Sequence, residues 1–106
     1  MLNQQSKYQL LKSLEQNSNL TQRQLSKELG ISLGKVNYCL QSLIQIGFVK
    51  VHNFKNSNHK LQYSYLLTPT GIEEKTKLTI EFLKVKTKEY EALKEELERI
   101  KNEKKN

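Results

Sequence analysis

The chain has 106 residues, a length that suits one small domain with an appendage. Its 36% apolar residues permit a small core, while 27% charged residues indicate a water-exposed surface. The sequence has no apolar run of the roughly 20 residues that a membrane span needs, and its N-terminus shows no secretory-signal pattern. Its single cysteine excludes an internal disulfide. We therefore expect a cytoplasmic protein without a membrane partner.

The net charge of +7 is unevenly distributed along the sequence. Residues 1–68 hold 8 Lys and Arg against 2 Glu, whereas residues 69–106 hold 10 against 9. Residues 30–72 contain no acidic residue, although an ordinary exposed surface mixes both signs. This pattern predicts that the first part binds a polyanion such as double-stranded DNA. A generally basic cytoplasmic protein is the alternative.

The first two predicted helices are short. Leucines recur at helical spacing over residues 3–17 and predict the first helix. Thr21, followed three residues later by Gln24, is typical of a capping box that opens the second helix. Gly30 suits the left-handed position that ends a helix.

A third helix follows after a tight turn. Ser32 is a good N-cap, and Gly47 ends the helix. Between them an apolar stripe at helical spacing faces the expected core. The stripe consists of Val36, Leu40 and Leu43, with either Ile44 or Ile46.

Two segments with a period of two residues predict a β-hairpin. Residues 48–54 alternate, with Val49 and Val51 on one face, and residues 61–67 repeat the pattern. The intervening residues 55–60 are polar and basic. On the second strand, one face carries Leu61, Tyr63, Tyr65 and Leu67. Three helices followed by a hairpin predict a mainly α winged helix-turn-helix, in which the third helix enters a DNA major groove.

The last helix is predicted to be long. Thr68 is its cap and Pro69 its first residue, and Gly71 should weaken the first turn slightly. The helix could extend for about 35 residues, on the order of 50 Å. We therefore divide the chain into a DNA-binding domain, 1–68, and a dimerisation helix, 69–106.

Polar side chains on the third helix are the predicted base-reading set. Lys35 could contact guanine or phosphate, and Asn37 and Gln41 have the bidentate geometry that suits adenine. Ser32 and Gly34 allow phosphate to approach the helix N-terminus. The full predicted set on this helix is Ser32, Gly34, Lys35, Asn37, Tyr38, Gln41, Ser42 and Gln45. An ordinary solvated helix face is the alternative.

The loop of the hairpin supplies the second predicted set of DNA contacts. It should follow the phosphate backbone or enter the minor groove. These residues are Lys55, Asn56, Asn58, His59 and Lys60. A merely flexible hairpin tip is the alternative.

A heptad pattern in the last helix predicts self-association. With Leu83 as position a, the g positions are Glu89 and Glu96, and the e positions are Lys94 and Lys101. In a parallel coiled coil each g residue pairs with the following e residue of the other strand, so opposite charges meet. Lys86 at a d position weakens the seam, and packing of the stripe on the first helix is the alternative. The predicted dimerisation residues are Leu83, Tyr90, Leu93, Leu97 and Ile100.

The remaining reactive side chains do not indicate chemistry. Cys39 is expected to be a small buried helix residue, with a redox-sensing thiol as the alternative. His52 and His59 lack partners at metal-ligand spacing, so neither a metal nor another cofactor is expected. No catalytic constellation is recognisable, and we expect the protein not to be an enzyme.

The helix-turn-helix TQRQLSKELGISLGKVNYCLQSLIQIGFVK, the basic loop and the closing YLLTPTGIEEK resemble the MarR-type winged-helix regulators. They are most similar to the small branch associated with exopolysaccharide biosynthesis genes, over roughly residues 5–90. The resemblance implies a homodimeric transcription factor on a pseudo-palindromic operator, with DNA contacts from residues 32–45 and 53–60. Repression is the expected mode of action. Lys55-Asn56-Ser57-Asn58 replaces the Asp-x-Arg signature of the larger family.

Only one helix follows the hairpin, so the family's usual pocket for phenolic ligands is not expected. Binding of another small-molecule effector is not excluded. The rival hypothesis is a winged-helix protein–protein interaction module with a coiled-coil tail.

Overall fold

The computed structural model describes residues 3–55 and 57–105. The elements follow one another as α1 (Gln4–Gln16), α2 (Gln22–Leu29), α3 (Leu33–Ile46), β1 (Val49–Lys55), β2 (Leu61–Leu67) and α4 (Pro69–Lys105). This mainly helical architecture with one hairpin confirms the predicted fold class. The chain divides into two units, one ending at Thr76 and one beginning at Lys77. The domain boundary after Thr68 stays a prediction.

The helix ends lie where the capping residues predict. The Oγ1 atom of Thr21 accepts from the backbone N–H of Gln24 at 3.1 Å, and the Gln24 side chain accepts from the Thr21 N–H at 2.8 Å. The Oγ atom of Ser32 accepts from the Lys35 N–H at 3.1 Å. Gly30 and Gly47 are left-handed, with φ of 69° and 96°. The tight turn between α2 and α3 is therefore closed on both sides by caps.

The core of the first unit is built from leucines of the three short helices. The predicted stripe on α3 is buried, and of its two candidate extensions Ile44 is half-buried, whereas Ile46 is 59% exposed. Truncating such a buried leucine to alanine costs about 2–5 kcal/mol. The buried apolar side chains of this unit are Leu10, Leu11, Leu14, Leu25, Val36, Cys39, Leu40, Leu43, Val49 and Tyr65.

The hairpin is antiparallel and pairs Val49 with Leu67 at its base and Lys55 with Leu61 at its outer end. Its predicted apolar face is covered only near the base. Val49 is buried, but Leu61 and Tyr63 are 55% and 46% exposed. The outer half of the hairpin therefore presents apolar side chains to solvent.

The segment between α1 and α2 packs on β2. The Tyr65 N–H donates to the Ser18 carbonyl at 3.0 Å, and the Ser64 hydroxyl donates to Asn19 Oδ1 at 2.8 Å. Ser64 and Tyr65 are consequently both buried, although they point to opposite faces of the strand. These bonds tie the hairpin to the beginning of α2.

The start of α4 is fastened to the turn that follows α3. The Thr68 N–H donates to the Phe48 carbonyl at 3.0 Å, and the Thr68 hydroxyl donates to the Gly47 carbonyl at 2.5 Å. A β-carbon on Gly71 would lie 2.0 Å from the Phe48 carbonyl oxygen. Gly71 is therefore more than a weak helix residue, because only glycine permits this approach of two backbones.

Two ion pairs join α1 to the first turns of α4. Lys7 Nζ lies 3.2 Å from Glu74 Oε1, and Lys75 pairs with Glu15. Helix α4 continues for 37 residues in all, close to the predicted length. Within the described ranges, no helix combines the length and apolar character that crossing a membrane requires.

Candidate nucleic-acid interface

Helix α3 presents a polar face to solvent. Its buried stripe fixes the rotation of the helix, so that Tyr38, Gln41 and Gln45 lie on the opposite side. Tyr38 is 52% exposed, and Gln41 and Gln45 are exposed as well. Ser42 is half-buried, and its hydroxyl donates to the Tyr38 carbonyl at 3.0 Å. The face combines hydrogen-bonding groups with one aromatic ring.

The N-terminal end of α3 is open to an anion. Ser32, Gly34 and Lys35 are all exposed there. A β-carbon on Gly34 would meet nothing within 4 Å, so packing alone does not require glycine at this position. The backbone N–H groups of a helix N-terminus attract anions, and the Lys35 ammonium adds a full positive charge.

The predicted contacts in the hairpin loop lie on the surface. Lys55, Asn58, His59 and Lys60 are exposed, whereas Asn56 lies outside the described residues. His59 adopts a left-handed backbone with φ of 59°, which is uncommon for a residue other than glycine. This conformation turns the chain back towards β2.

Neither α3 nor the hairpin strands contain an acidic residue. The first unit contains four glutamates, at positions 15, 28, 73 and 74. Glu15 and Glu74 form ion pairs with lysines, and Glu28 accepts a hydrogen bond from Ser13 at 3.2 Å. Among the described residues, neither Lys35 nor Lys55 has a carboxylate within 4 Å. Lys35 and Lys55 therefore give this surface positive charge that no described carboxylate pairs with.

A groove of about 670 Å³ lies between the N-terminus of α2, helix α3 and the hairpin. Gln41 and Lys60, both predicted contacts, line it and are thus brought to one surface. The sequence analysis missed its other polar residues. They are Asn19, Thr21, Gln22, Gln62, Tyr63 and Tyr65.

Asn37 lies at the edge of the polar face, next to α2. Its Oδ1 atom accepts a hydrogen bond of 3.3 Å from Gln22 Nε2. Gln22 Nε2 also donates to the Tyr65 hydroxyl at 3.2 Å. The sequence places Gln22 directly after the Thr21 cap and therefore at the start of α2. Sequence spacing alone could not predict that Gln22 contacts Asn37 and Tyr65.

Cys39 is buried on the core side of α3 and 1% exposed. Burial raises the pKa of its thiol, and the nearby Lys35 charge only partly offsets this effect. A buried thiol with a raised pKa is a poor nucleophile. Across the part of the chain that is described, no three His, Cys, Asp or Glu side chains converge in a way that could hold a metal ion.

The predicted dimerisation stripe on α4 is exposed in the single chain. Leu83, Tyr90 and Leu93 are 64%, 63% and 65% exposed, and Leu97 and Ile100 are 51% and 43% exposed. Apolar side chains repeated along a helix at this exposure are typical of a surface that binds a partner. The polar position in this seam, Lys86, is exposed and forms an ion pair with Glu89 of the same helix at 3.3 Å.

Residues 4–50 match the family described as winged helix-turn-helix DNA-binding. No sequence among curated proteins is significantly similar to the chain. The chain therefore carries a winged helix-turn-helix domain, and the solved structures that resemble it include MarR-family regulators.

One of these is a MarR/EmrR family transcriptional regulator from Acinetobacter sp. ADP1, with a TM-score of 0.64 and 18% identity over 78% of this chain. Another is the adhesin competence repressor AdcR from Streptococcus pyogenes, with a TM-score of 0.66 and 21% identity over 90% of this chain and 67% of AdcR. A mutant of S. aureus MepR bound to an oligodeoxyribonucleotide has a TM-score of 0.61 and 20% identity over 92% of this chain and 74% of MepR. The chain spans 57% of the length of the Acinetobacter protein. At these identities the likeness is one of fold.

Proposed function

We propose that the chain is a DNA-binding transcriptional regulator whose helix α3 enters the major groove and whose hairpin contacts the phosphate backbone. The observation that carries this proposal is the acid-free polar face of α3, exposed beside a basic hairpin. A face meant only for solvent would mix charges of both signs. The winged helix-turn-helix match over residues 4–50 supports the same reading.

The proposed contacts divide into anchoring and reading groups. Ser32, Gly34 and Lys35 would bind phosphate at the N-terminus of α3, or Lys35 would reach guanine. Gln41 has the amide geometry for adenine, and Tyr38 would pack against a thymine methyl group or the sugar backbone. Asn37, Ser42 and Gln45 complete the set on α3. Lys55, Asn58, His59 and Lys60 would anchor the hairpin, with Asn56 as a further proposed contact.

We infer that the regulator acts as a homodimer through α4. Charge complementarity supports a second copy of this chain as the partner. In a parallel pair, Glu89 faces Lys94 of the other copy, and Glu96 faces Lys101. Such a dimer would present two α3 helices to a pseudo-palindromic operator. Repression is the proposed mode of action, and exopolysaccharide genes are proposed targets.

DNA binding is tested with the duplex upstream of the protein's own gene. In a gel-shift titration at about 50 mM salt, the Lys35→Glu and Gln41→Ala variants should each lose affinity, Lys35→Glu by about tenfold or more. Lys12→Glu is the matched control, because Lys12 is an exposed lysine on α1 outside the proposed face. Binding that is insensitive to both α3 variants would overturn the site, and no binding at low salt would favour the protein-interaction hypothesis.

Self-association is tested by sedimentation equilibrium. Leu93→Glu places a charge in the proposed seam and should raise the dimer dissociation constant by at least about tenfold. Ala92→Glu is the matched control, since it adds the same side chain one residue away and outside the seam. A dimer that survives Leu93→Glu would move the interface to another surface, such as α1. Reversal of Glu96 to Lys should weaken the dimer, and reversal of Lys101 to Glu in the same chain should restore it if the strands are parallel.

A further inference from the structure

The hydrogen bonds of Gln22 connect a buried tyrosine to the exposed edge of α3. Gln22 Nε2 lies 3.3 Å from Asn37 Oδ1 and 3.2 Å from the Tyr65 hydroxyl. Tyr65 is 7% exposed, Gln22 is half-buried, and Asn37 is exposed. One amide group therefore lies between the hairpin and the proposed base-reading helix.

The two anchors of this arrangement are held by the fold. Gln22 is the first residue of α2, and the capping box of Thr21 and Gln24 fixes its backbone. Tyr65 is fixed by burial and by its N–H bond to the Ser18 carbonyl. The exposed Asn37 side chain is the member with freedom to rotate, so the bond from Gln22 determines how its amide is turned.

The bond from Gln22 turns the Oδ1 atom of Asn37 towards α2. In the proposed complex the NH₂ group of Asn37 would then be the side that faces DNA. An asparagine that offers both sides pairs with the N6 and N7 atoms of adenine. An asparagine that offers only its NH₂ group instead suits base edges that carry acceptors. In the major groove guanine offers two adjacent acceptors, N7 and O6, and thymine offers O4. Adenine offers N7 as well, but its N6 amino group then faces the NH₂ group of asparagine instead of an acceptor.

We propose that Gln22 is a positioning residue that orients Asn37 as a hydrogen-bond donor, so that Asn37 selects a guanine or thymine edge rather than adenine. This inference rests on the proposed function, because it assumes that α3 reads DNA. It replaces the adenine contact that the sequence suggested for Asn37. Tyr65 supports the selection by holding Gln22, although it lies on a different element.

The experiment is a selection from duplexes with randomised bases, carried out with the full chain and with Gln22→Leu, Tyr65→Phe and Asn37→Ala. The wild type should prefer guanine or thymine at one position of each half-site, and the enriched base distinguishes the two. Gln22→Leu should reduce that preference about 3- to 10-fold, the effect of one hydrogen bond, and admit adenine. Preferences at the other positions and affinity for random DNA should not change. Asn37→Ala should alter the same position, and adding Gln22→Leu to it should change nothing further.

Tyr65→Phe keeps the buried ring and should shift the same position in the same direction. Gln5→Leu is the matched control, because Gln5 is exposed on α1. An unchanged preference in Gln22→Leu, or an equal loss at every position, would overturn the inference while wild-type binding still supported the proposed function. Failure of the wild type to enrich any duplex would overturn both.

Discussion

Replacing Gly71 with alanine should destabilise the first unit, although alanine is the better helix former. The added β-carbon would lie 2.0 Å from the Phe48 carbonyl oxygen and 2.9 Å from its carbonyl carbon. Non-bonded carbon and oxygen atoms need about 3 Å or more, so one of the two backbones must retreat by about 1 Å.

Three contributions set the cost of this movement. A retreat weakens the bond from the Thr68 N–H to the Phe48 carbonyl, now 3.0 Å, which is worth about 1 kcal/mol. Strain from overpacking adds about 1–3 kcal/mol. The helix propensity of alanine returns about 1 kcal/mol. The free energy of unfolding should therefore fall by about 1–3 kcal/mol.

Urea unfolding followed by circular dichroism, at one fixed protein concentration, measures this change. Gly34→Ala is the matched control, because a β-carbon there meets nothing within 4 Å and φ is not positive. It should raise the unfolding free energy by up to about 1 kcal/mol. If Gly71→Ala stabilises the protein as much as Gly34→Ala does, the close approach of Gly71 to Phe48 is refuted.

Three further predictions concern the thiol, the hairpin loop and the helix contacts. The Cys39 thiol should react with Ellman's reagent far more slowly in the native chain than in urea, and fast native reaction would favour the redox alternative. Burial raises the pKa of this thiol in the folded state above the ordinary 9.0. The contribution of the buried thiol to stability is therefore present below about pH 9 and is lost as pH rises through the raised, folded-state pKa. His59→Gly should relieve the strain of the left-handed backbone at this position and raise the unfolding free energy by up to about 1 kcal/mol. The same change should weaken DNA binding. A loss of stability would contradict the left-handed conformation of the loop. A double-mutant cycle of Lys7→Ala and Glu74→Ala, measured by thermal unfolding, should give a coupling energy of about 0.5–1 kcal/mol, because both side chains are less than one-fifth exposed. A coupling energy of zero would show that this ion pair does not link α1 to α4.

The sequence predicted the helix ends well because local chemistry determines them. Thr21 with Gln24, Ser32, Gly47 and Pro69 each mark an end by the hydrogen bonds or the backbone conformation that they favour. Such signals need no knowledge of the tertiary fold.

Features that depend on distant contacts could not be predicted in this way. The choice between Ile44 and Ile46, the exposure of Leu61, and the need for glycine at position 71 all follow from how elements pack. These contacts join residues far apart in the chain, and a periodic pattern carries no information about them.

The proposed site was predicted only in part for the same reason. The exposed face of α3 follows from the position of its buried stripe, which the sequence contains. The bond from Gln22 to Asn37 crosses 15 positions and the bond to Tyr65 crosses 43. The predicted DNA contacts and the dimerisation residues remain predictions until binding is measured.

The salt dependence of DNA binding tests the central claim most directly. If α3 and the hairpin bind phosphates, the logarithm of the affinity should fall linearly with the logarithm of salt concentration. Reversal of Lys35, Lys55 or Lys60 to glutamate should reduce the slope by about one per phosphate lost, while Lys12→Glu leaves it unchanged. A slope that none of the three reversals alters would contradict the claim that this surface binds DNA.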